Sequence, residues 1–419
     1  MVAKAINSIK KNTHWKSILL FLAILGPGII TGSVDNDVGG ITTYSVAGAV
    51  FGYKLIWTLI PAFIVLFVAQ EMNARMGIVT GKGLADLIRE NAGVKITFVI
   101  FLFLFFADIL NTTTEFSGVA GSMQIFGVSK YISVPVAAVV VWLIVVKGTY
   151  KIAERIFLLF SLCLLIYIVA ALQGHPDWSA IGSSIIQPKF EYNFLYISTV
   201  LGLIGTTIAP WMQFYIQSSV IEKRISVKNL KLSRLDVLIG CICTITVAFF
   251  IIVACASTLN ISGTTINNAS DAAAALAPVA GAFASQVFAF GLFVASIFAA
   301  VILPVAVSFY ICEAFGFEAG LDKKWKEAPQ FYWLYTIIIS ISAGIILLPN
   351  APLIGISLWS QRINGIILPI ILLCMVLIIN KKEVMGKYVN NIASNIVAWI
   401  TIVILFALSI ILVASLFNF

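Results

Sequence analysis

The sequence predicts an all-α polytopic membrane protein: two inverted five-helix repeats plus an eleventh helix, with helices 1 and 6 broken. Three observations carry this. The first is composition. Of 419 residues, 61% are hydrophobic and only 11% charged, and mean hydropathy is +1.05. A soluble domain averages about 25% charged residues, and one soluble core cannot hide so much apolar surface. The second is the sorting of basic residues among the loops. The third is a pair of helix-breaking segments five spans apart. Composition excludes a soluble enzyme, a disordered chain and a disulfide scaffold. The net charge of +8 would suggest nucleic acid on a soluble protein. Here it reads as loop topology, and no nucleic-acid partner is expected.

A spanning helix needs about 20 mostly apolar residues. Runs of that kind fall near 17–51, 55–76, 95–123, 131–147, 155–172, 194–221, 235–259, 283–312, 331–348, 351–380 and 393–418. The first follows a basic start (Lys4, Lys10, Lys11, Lys16) resembling a signal peptide. No small-residue cleavage site follows and more spans come after, so it reads as a retained span. This run also carries Gly26-Pro27-Gly28 and then Asp35-Asn36-Asp37-Val38-Gly39-Gly40. The third contains the Phe-rich stretch 98–106, a lipid-facing or packing surface. The sixth carries Gly202, Gly205, Thr206, Thr207, Ala209 and Pro210 at its centre. Proline removes a backbone donor and glycine lowers helix propensity, so the first and sixth helices are expected to break near mid-membrane. Between the seventh and eighth runs, residues 260–284 read as an exposed connection. Its sequons at Asn260 and Asn268 matter only in a glycosylating host. The six cysteines lie in or beside apolar runs without a CxxC pair, and read as buried hydrophobes.

With the N-terminus inside and sidedness alternating, 22 of the 26 Lys and Arg fall in inside segments. Lys54, Lys130 and Lys189 fall outside, and Arg362 lies within the tenth run. Eleven spans with the C-terminus outside satisfy the positive-inside rule, and a miscounted span would mix the groups. Breaks at equivalent positions five spans apart imply inverted repeats with a substrate site at the midplane, where unwound turns free carbonyl oxygens and helix ends aim partial charges. The chain is read as one transporter domain, 1–419: a first repeat near 17–172, a second near 194–380, and an extra helix at 393–418.

Four acidic residues lie deep: Asp35, Asp37, Asp108 and Glu115. Burying one at the bilayer centre costs at least ~2.5 kcal/mol, so such residues pair, face a polar cavity, or bind something. Asp35 and Asp37 sit in the first break. Asp108 and Glu115 are two turns apart on one face of the third helix, with Asn111 and Thr112 between. Arg362 is the basic residue placed to neutralise a carboxylate. Carboxylates, carbonyls and the amide of Gln361 form a hard-oxygen set suited to Mg²⁺, Ca²⁺ or Mn²⁺. Both histidines, His14 and His175, lie outside the runs. An intramembrane enzyme is disfavoured because no span holds a histidine and neither GxSxG nor HExxH occurs.

These residues resemble a family. Gly26-Pro27-Gly28, then Asp37-Val38-Gly39-Gly40, then Ala47-Gly48-Ala49-Val50-Phe51-Gly52-Tyr53, resemble the first helix of the Nramp divalent-metal transporters. The stretch from Gln70-Glu71-Met72-Asn73-Ala74-Arg75 through Gly81-Lys82-Gly83-Leu84-Ala85 closely resembles the end of their second helix and its loop. Ala209-Pro210 falls where the family has Met-Pro-His, and Ser360-Gln361 with Leu368-Pro369 matches a helix 10 pattern. The resemblance implies the leucine-transporter fold. The departures concern the ion. The family's Asp-Pro-Gly-Asn here reads Asp37-Val38-Gly39-Gly40, its helix 6 methionine and histidine become Ala209 and Trp211, and its helix 3 Asp-x-x-Glu becomes Thr112-x-x-Glu115. In the family the Asp, Asn and Met hold a largely dehydrated transition metal, while the helix 3 acids and helix 6 histidines are associated with proton movement. The pattern is similar to that of a divergent branch, the Nramp-related magnesium transporters, described as carrying Mg²⁺ and Mn²⁺ without proton coupling.

Losing the thioether removes a soft ligand, and Gly40 removes a side-chain oxygen and is expected to free volume. A wider site suits Mg²⁺, which dehydrates reluctantly. The expected site has Asp37 as central ligand and Gln361 contributing an amide oxygen. Thr206 and Ala209 line it or contribute carbonyls, Gly40 gives room, and Asp35 holds the ion's waters. Glu115 tunes the field, and Asp108, Thr112 and Trp211 flank the pathway. The substrate is Mg²⁺ or Mn²⁺, with no cofactor, in a monomer of the plasma membrane. The alternative is a proton-coupled Mn²⁺/Fe²⁺ importer, and an amino-acid transporter on the same fold is a more distant one.

Overall fold

A computed structural model describes residues 26–147, 166–267, 269–276, 281–321 and 323–416. The basic N-terminus, residues 17–25 of the first run, residues 155–165 of the fifth with Arg155 and Cys163, Lys151, and Asn268 lie outside the described residues. Among the described residues every regular element is helical.

The first run forms two helices, α1 (Pro27–Val34) and α2 (Val38–Phe51). Pro27 sits at the start of α1, where its missing N–H is no loss. The amides of Gly26 and Gly28 donate to Asp236 at 3.0 and 2.7 Å, a carboxylate placed on the positive end of the helix dipole. The Gly-Pro-Gly segment therefore starts a helix, and the expected break lies wholly at Asp35, Asn36 and Asp37. Asp37 is the N-cap of α2, its Oδ1 accepting from Gly40 N at 2.8 Å, which holds the backbone out of helical continuity.

A 3₁₀ turn, Gly52–Thr58, leads to α3 (Leu59–Thr80). Then come α4 (Leu84–Ala92), α5 (Val94–Ile125), α6 (Lys130–Val146), α7 (Ile166–Gln173) and α8 (Trp178–Ile186). The sixth run divides into α9 (Phe194–Thr207) and α10 (Pro210–Glu222), with Ile208 and Ala209 between. The chain continues through α11 (Leu230–Cys255), α12 (Ala269–Ala273), α13 (Ala284–Phe315), α14 (Pro329–Leu347), α15 (Leu353–Ile379), α16 (Lys382–Met385) and α17 (Ile392–Leu416). Eight helical stretches among the described residues are long and apolar enough to cross a membrane, with α2 and α3 counted as one and α9 and α10 as another. The fourth run is a shorter apolar helix, and the fifth is described only in its last part.

Small residues let the broken helices approach their neighbours closely. A Cβ at Gly32 would lie 2.6 Å from the Gly240 carbonyl oxygen, and one at Gly48 would lie 2.5 Å from that of Ile252. Both halves of the first helix thus press on α11. Where α9 crosses α15, a Cβ at Gly205 would lie 2.1 Å from the Gln361 carbonyl oxygen. The outer surface carries the apolar excess: Phe98, Phe103 and Phe106 are exposed, as lipid-facing side chains are. Phe101 of the same stretch is buried against Phe214 and Tyr310. The five described cysteines are free.

Hydrogen bonds gather the basic segments at one end. Arg75 donates to the carbonyls of Tyr388 and Val389 and pairs with Glu71, which also pairs with Arg234. Lys381 reaches Asn91, and Gln217 donates to the Lys82 carbonyl. At the opposite end Lys130 donates to the Ile346 and Leu348 carbonyls, and Lys54 pairs with Glu191.

Candidate functional site

The two breaks face each other. The Oγ1 of Thr206 lies 3.6 Å from where a Cβ on Gly40 would stand. Tyr44 OH and Thr207 Oγ1 are hydrogen-bonded at 2.9 Å across the same gap, joining α2 to α9. Asp35, Asp37, Thr206, Ala209 and Gln361 are each at most 7% exposed.

Asp35 has both carboxylate oxygens buried without a hydrogen-bond partner, and so has the side-chain oxygen of Asn36. A buried, unpartnered carboxylate is costly unless a cation or its waters complete it. Asp37 and Cys241 lie within electrostatic reach of Asp35. Asp37 is engaged as the cap of α2, and Glu115 approaches it from α5: the Glu115 Oε2 accepts from Val38 N at 3.5 Å, and its Oε1 has no partner. Ala209 caps α10, and its carbonyl accepts from Gln213 at 3.5 Å.

Four of the groups named from the sequence stand as follows. Gly40 gives no open room at its own Cα, because a Cβ there would meet the Asp35 carbonyl oxygen at 2.7 Å. Instead it lets the two strands of the break close on one another. Gln361 turns its amide nitrogen to the gap: that nitrogen would be 2.0 Å from a Cβ on Gly39, while its oxygen accepts from Asn364 Nδ2 at 3.0 Å. Arg362 neutralises no carboxylate. It lies half-buried 4.9 Å from the Trp359 ring, a cation–π contact, with Phe194 at 6.0 Å, and among the described residues it forms no ion pair. Asp108 is outside the gap, its two oxygens accepting from Asn111 (2.7 Å) and Tyr310 OH (2.7 Å). Thr112 bonds back to the Asp108 carbonyl of its own helix. Trp211 is buried beside Tyr215, their rings 6.2 Å apart.

A cavity of about 210 Å³ opens beside the site toward the end away from the basic loops. Val38 and Thr42 of α2, Ser117 and Gln124 of α5, Asn267, and Ser357 of α15 line it. Among the described residues no three His, Cys, Asp or Glu side chains cluster as a metal cage. The donors at the gap are instead two aspartates, Thr206 and backbone carbonyls.

The sequence reading named Thr207 only as part of the break and missed Tyr44 and Asn364. Asn364 stands three residues after Gln361, hence on the same helix face, and that spacing was the available signal.

The sequence profile described as "Natural resistance-associated macrophage protein-like" matches residues 28–415. The chain belongs to the Nramp family. It is 24% identical to the divalent metal cation transporter MntH of Deinococcus radiodurans, over 97% of this chain and 93% of that protein. It is 24% identical to MntH of Granulibacter bethesdensis, over 98% and 91%. Its fold matches the crystal structure of the Eremococcus coleocola manganese transporter with a TM-score of 0.76 at 20% identity, covering 97% of this chain and 88% of that one. The chain is therefore a multi-pass membrane transporter of divalent metal ions with the leucine-transporter-type fold.

Proposed function

We propose that this Nramp protein carries Mg²⁺, and also Mn²⁺, as a partly hydrated ion and without proton coupling. One observation supports this most: the gap between the breaks holds two aspartates, one with both oxygens unpartnered, and the second break carries Ala209 and Trp211 where the family pattern has a thioether and an imidazole. Hard oxygen donors around retained waters suit Mg²⁺. Ala209 takes the position of the soft ligand that selects transition metals. Asp37 is the central carboxylate, Asp35 accepts from the ion's waters, and Thr206 and the carbonyls near Ala209 complete the shell. An inside-negative potential contributes ~2.3 kcal/mol per charge per 100 mV, about twice that for a divalent ion, so uptake needs no proton. In this reading the chain is a monomeric, single-domain protein (1–419) of the plasma membrane. Its repeats lie near 17–172 and 194–380, with 393–418 added, its N-terminus is cytoplasmic, its C-terminus outside, and the 210 Å³ cavity is the external entrance.

Reconstituted flux tests it. Mg²⁺ should compete with Mn²⁺ uptake, and Asp37→Ala should abolish uptake of both. Failure of Mg²⁺ to compete would overturn the ion assignment.

The proximity of Glu115 to Asp37 favours a second reading, a proton-coupled Mn²⁺/Fe²⁺ importer. A proton shared by facing carboxyl groups is displaced when a cation binds one of them. Metal-dependent acidification of the vesicle lumen would establish this reading over the first.

A further inference from the structure

Six buried side chains from α5, α13 and α15 form one directional hydrogen-bond chain ending at the gap. Tyr310 OH donates to Asp108 Oδ2, and Asn111 Nδ2 donates to Asp108 Oδ1 at 2.7 Å. With its NH₂ drawn to the carboxylate, Asn111 turns its oxygen to α15, where it accepts from Ser360 Oγ at 2.6 Å and Asn364 Nδ2 at 2.9 Å. The second Asn111 N–H meets Asn364 Oδ1 at 3.0 Å, making the two amides reciprocal. Asn364 Nδ2 then donates to Gln361 Oε1 at 3.0 Å. All six residues are 3% exposed or less. In so dry a place an amide turned the wrong way would set donor against donor.

The polarity runs from Asp108. An ionised carboxylate only accepts. That fixes Asn111, Asn111 fixes Asn364, and Asn364 fixes Gln361 with its oxygen inward and its nitrogen toward Gly39 and Asp37. A cation, or the outward-facing hydrogens of its water shell, needs acceptors, and an NH₂ group is the wrong end. We infer that Asp108, acting through Asn111 and Asn364, is a positioning residue that keeps Gln361 from presenting its amide oxygen to the ion. Gln361 becomes a ligand only when this relay turns over. The inference rests on the reading of the gap as a divalent-cation site.

Asn364→Asp tests it, because a carboxylate at 364 accepts from the Asn111 N–H that met Asn364 Oδ1 and from the Gln361 nitrogen, turning the Gln361 oxygen toward Asp37. The oxygen replacing Nδ2 opposes Asn111 Oδ1, a cost carried equally by both backgrounds of the cycle below. The added charge alone also favours a cation, so the experiment is a double-mutant cycle against Gln361→Leu. Mn²⁺ uptake is measured in vesicles holding the full chain. The KM decrease caused by Asn364→Asp should be about fivefold larger with Gln361 present than with Leu, the worth of roughly one hydrogen bond. Equal shifts in both backgrounds would overturn the relay and leave the transport reading intact. Absence of wild-type uptake would overturn the transport reading and the relay with it. Should Asn364→Asp not fold, Asp108→Asn in the same cycle removes the anchor. Its KM shift should vanish in the Gln361→Leu background, and persistence there would overturn the relay.

Discussion

At the scale of single residues, the proposed selectivity rests on which atoms the breaks expose. Ala209 offers only a carbonyl where relatives with Met-Pro-His offer sulfur. Restoring the thioether as Ala209→Met should favour Mn²⁺ over Mg²⁺. The check is the Mg²⁺ concentration that halves Mn²⁺ uptake: it should rise several-fold, on the order of one ligand interaction, and an unchanged value would show that position 209 does not face the ion. Backbone approach matters as much. Gly205→Ala places a Cβ 2.1 Å from the Gln361 carbonyl oxygen, backbone that cannot swing away. Overpacking of this kind costs typically 1–3 kcal/mol, so thermal unfolding in detergent should show a clear drop. An unshifted transition would mean that α9 and α15 are further apart than described.

At the scale of elements, the breaks were legible because they are local chemistry. Asp37 caps α2 through an amide three residues on, and Pro210 at the start of α10 cannot donate to Thr206. The error at Gly26-Pro27-Gly28 has an equally physical source: proline opens a helix as readily as it breaks one. The decisive partner, Asp236, is over 200 residues away. It holds α1 by two charge-assisted bonds, each worth roughly 1.5–3 kcal/mol. Asp236→Ala should therefore loosen α1 against α11, increasing proteolytic clipping or hydrogen exchange at residues 26–34 more than in α13. Unchanged protection there would count against the clamp.

At the scale of the whole molecule, several of the described basic loops gather at one end. Loops distant in sequence, around Arg75, Lys82, Arg234 and Lys381, are tied together by side-chain hydrogen bonds and an ion pair. Impermeant thiol reagents should modify single cysteines placed at Lys228 or Lys382 only from the cytoplasmic face, and at Lys54 or Lys189 only from outside. Labelling of both sets from one face would reject the eleven-span topology.

The sequence by itself determined the membrane class, most of the helix boundaries, both breaks and the four deep acids, because hydropathy, helix breaking and the cost of buried charge depend on neighbours along the chain. It also led to the expectation that the two breaks stand opposite each other, since inverted repeats place them so, and Thr206 lies against Gly40. The tertiary structure alone decided how those groups are used. Asp108 meets Tyr310 across 202 residues, Arg362 stacks on Trp359 and leaves the acids alone, the space at Gly40 belongs to the Asp35 carbonyl, and the amide of Gln361 points nitrogen-first into the gap. Each of these depends on a hydrogen-bond or packing partner supplied by another helix, and such partners exist only once the chain has folded.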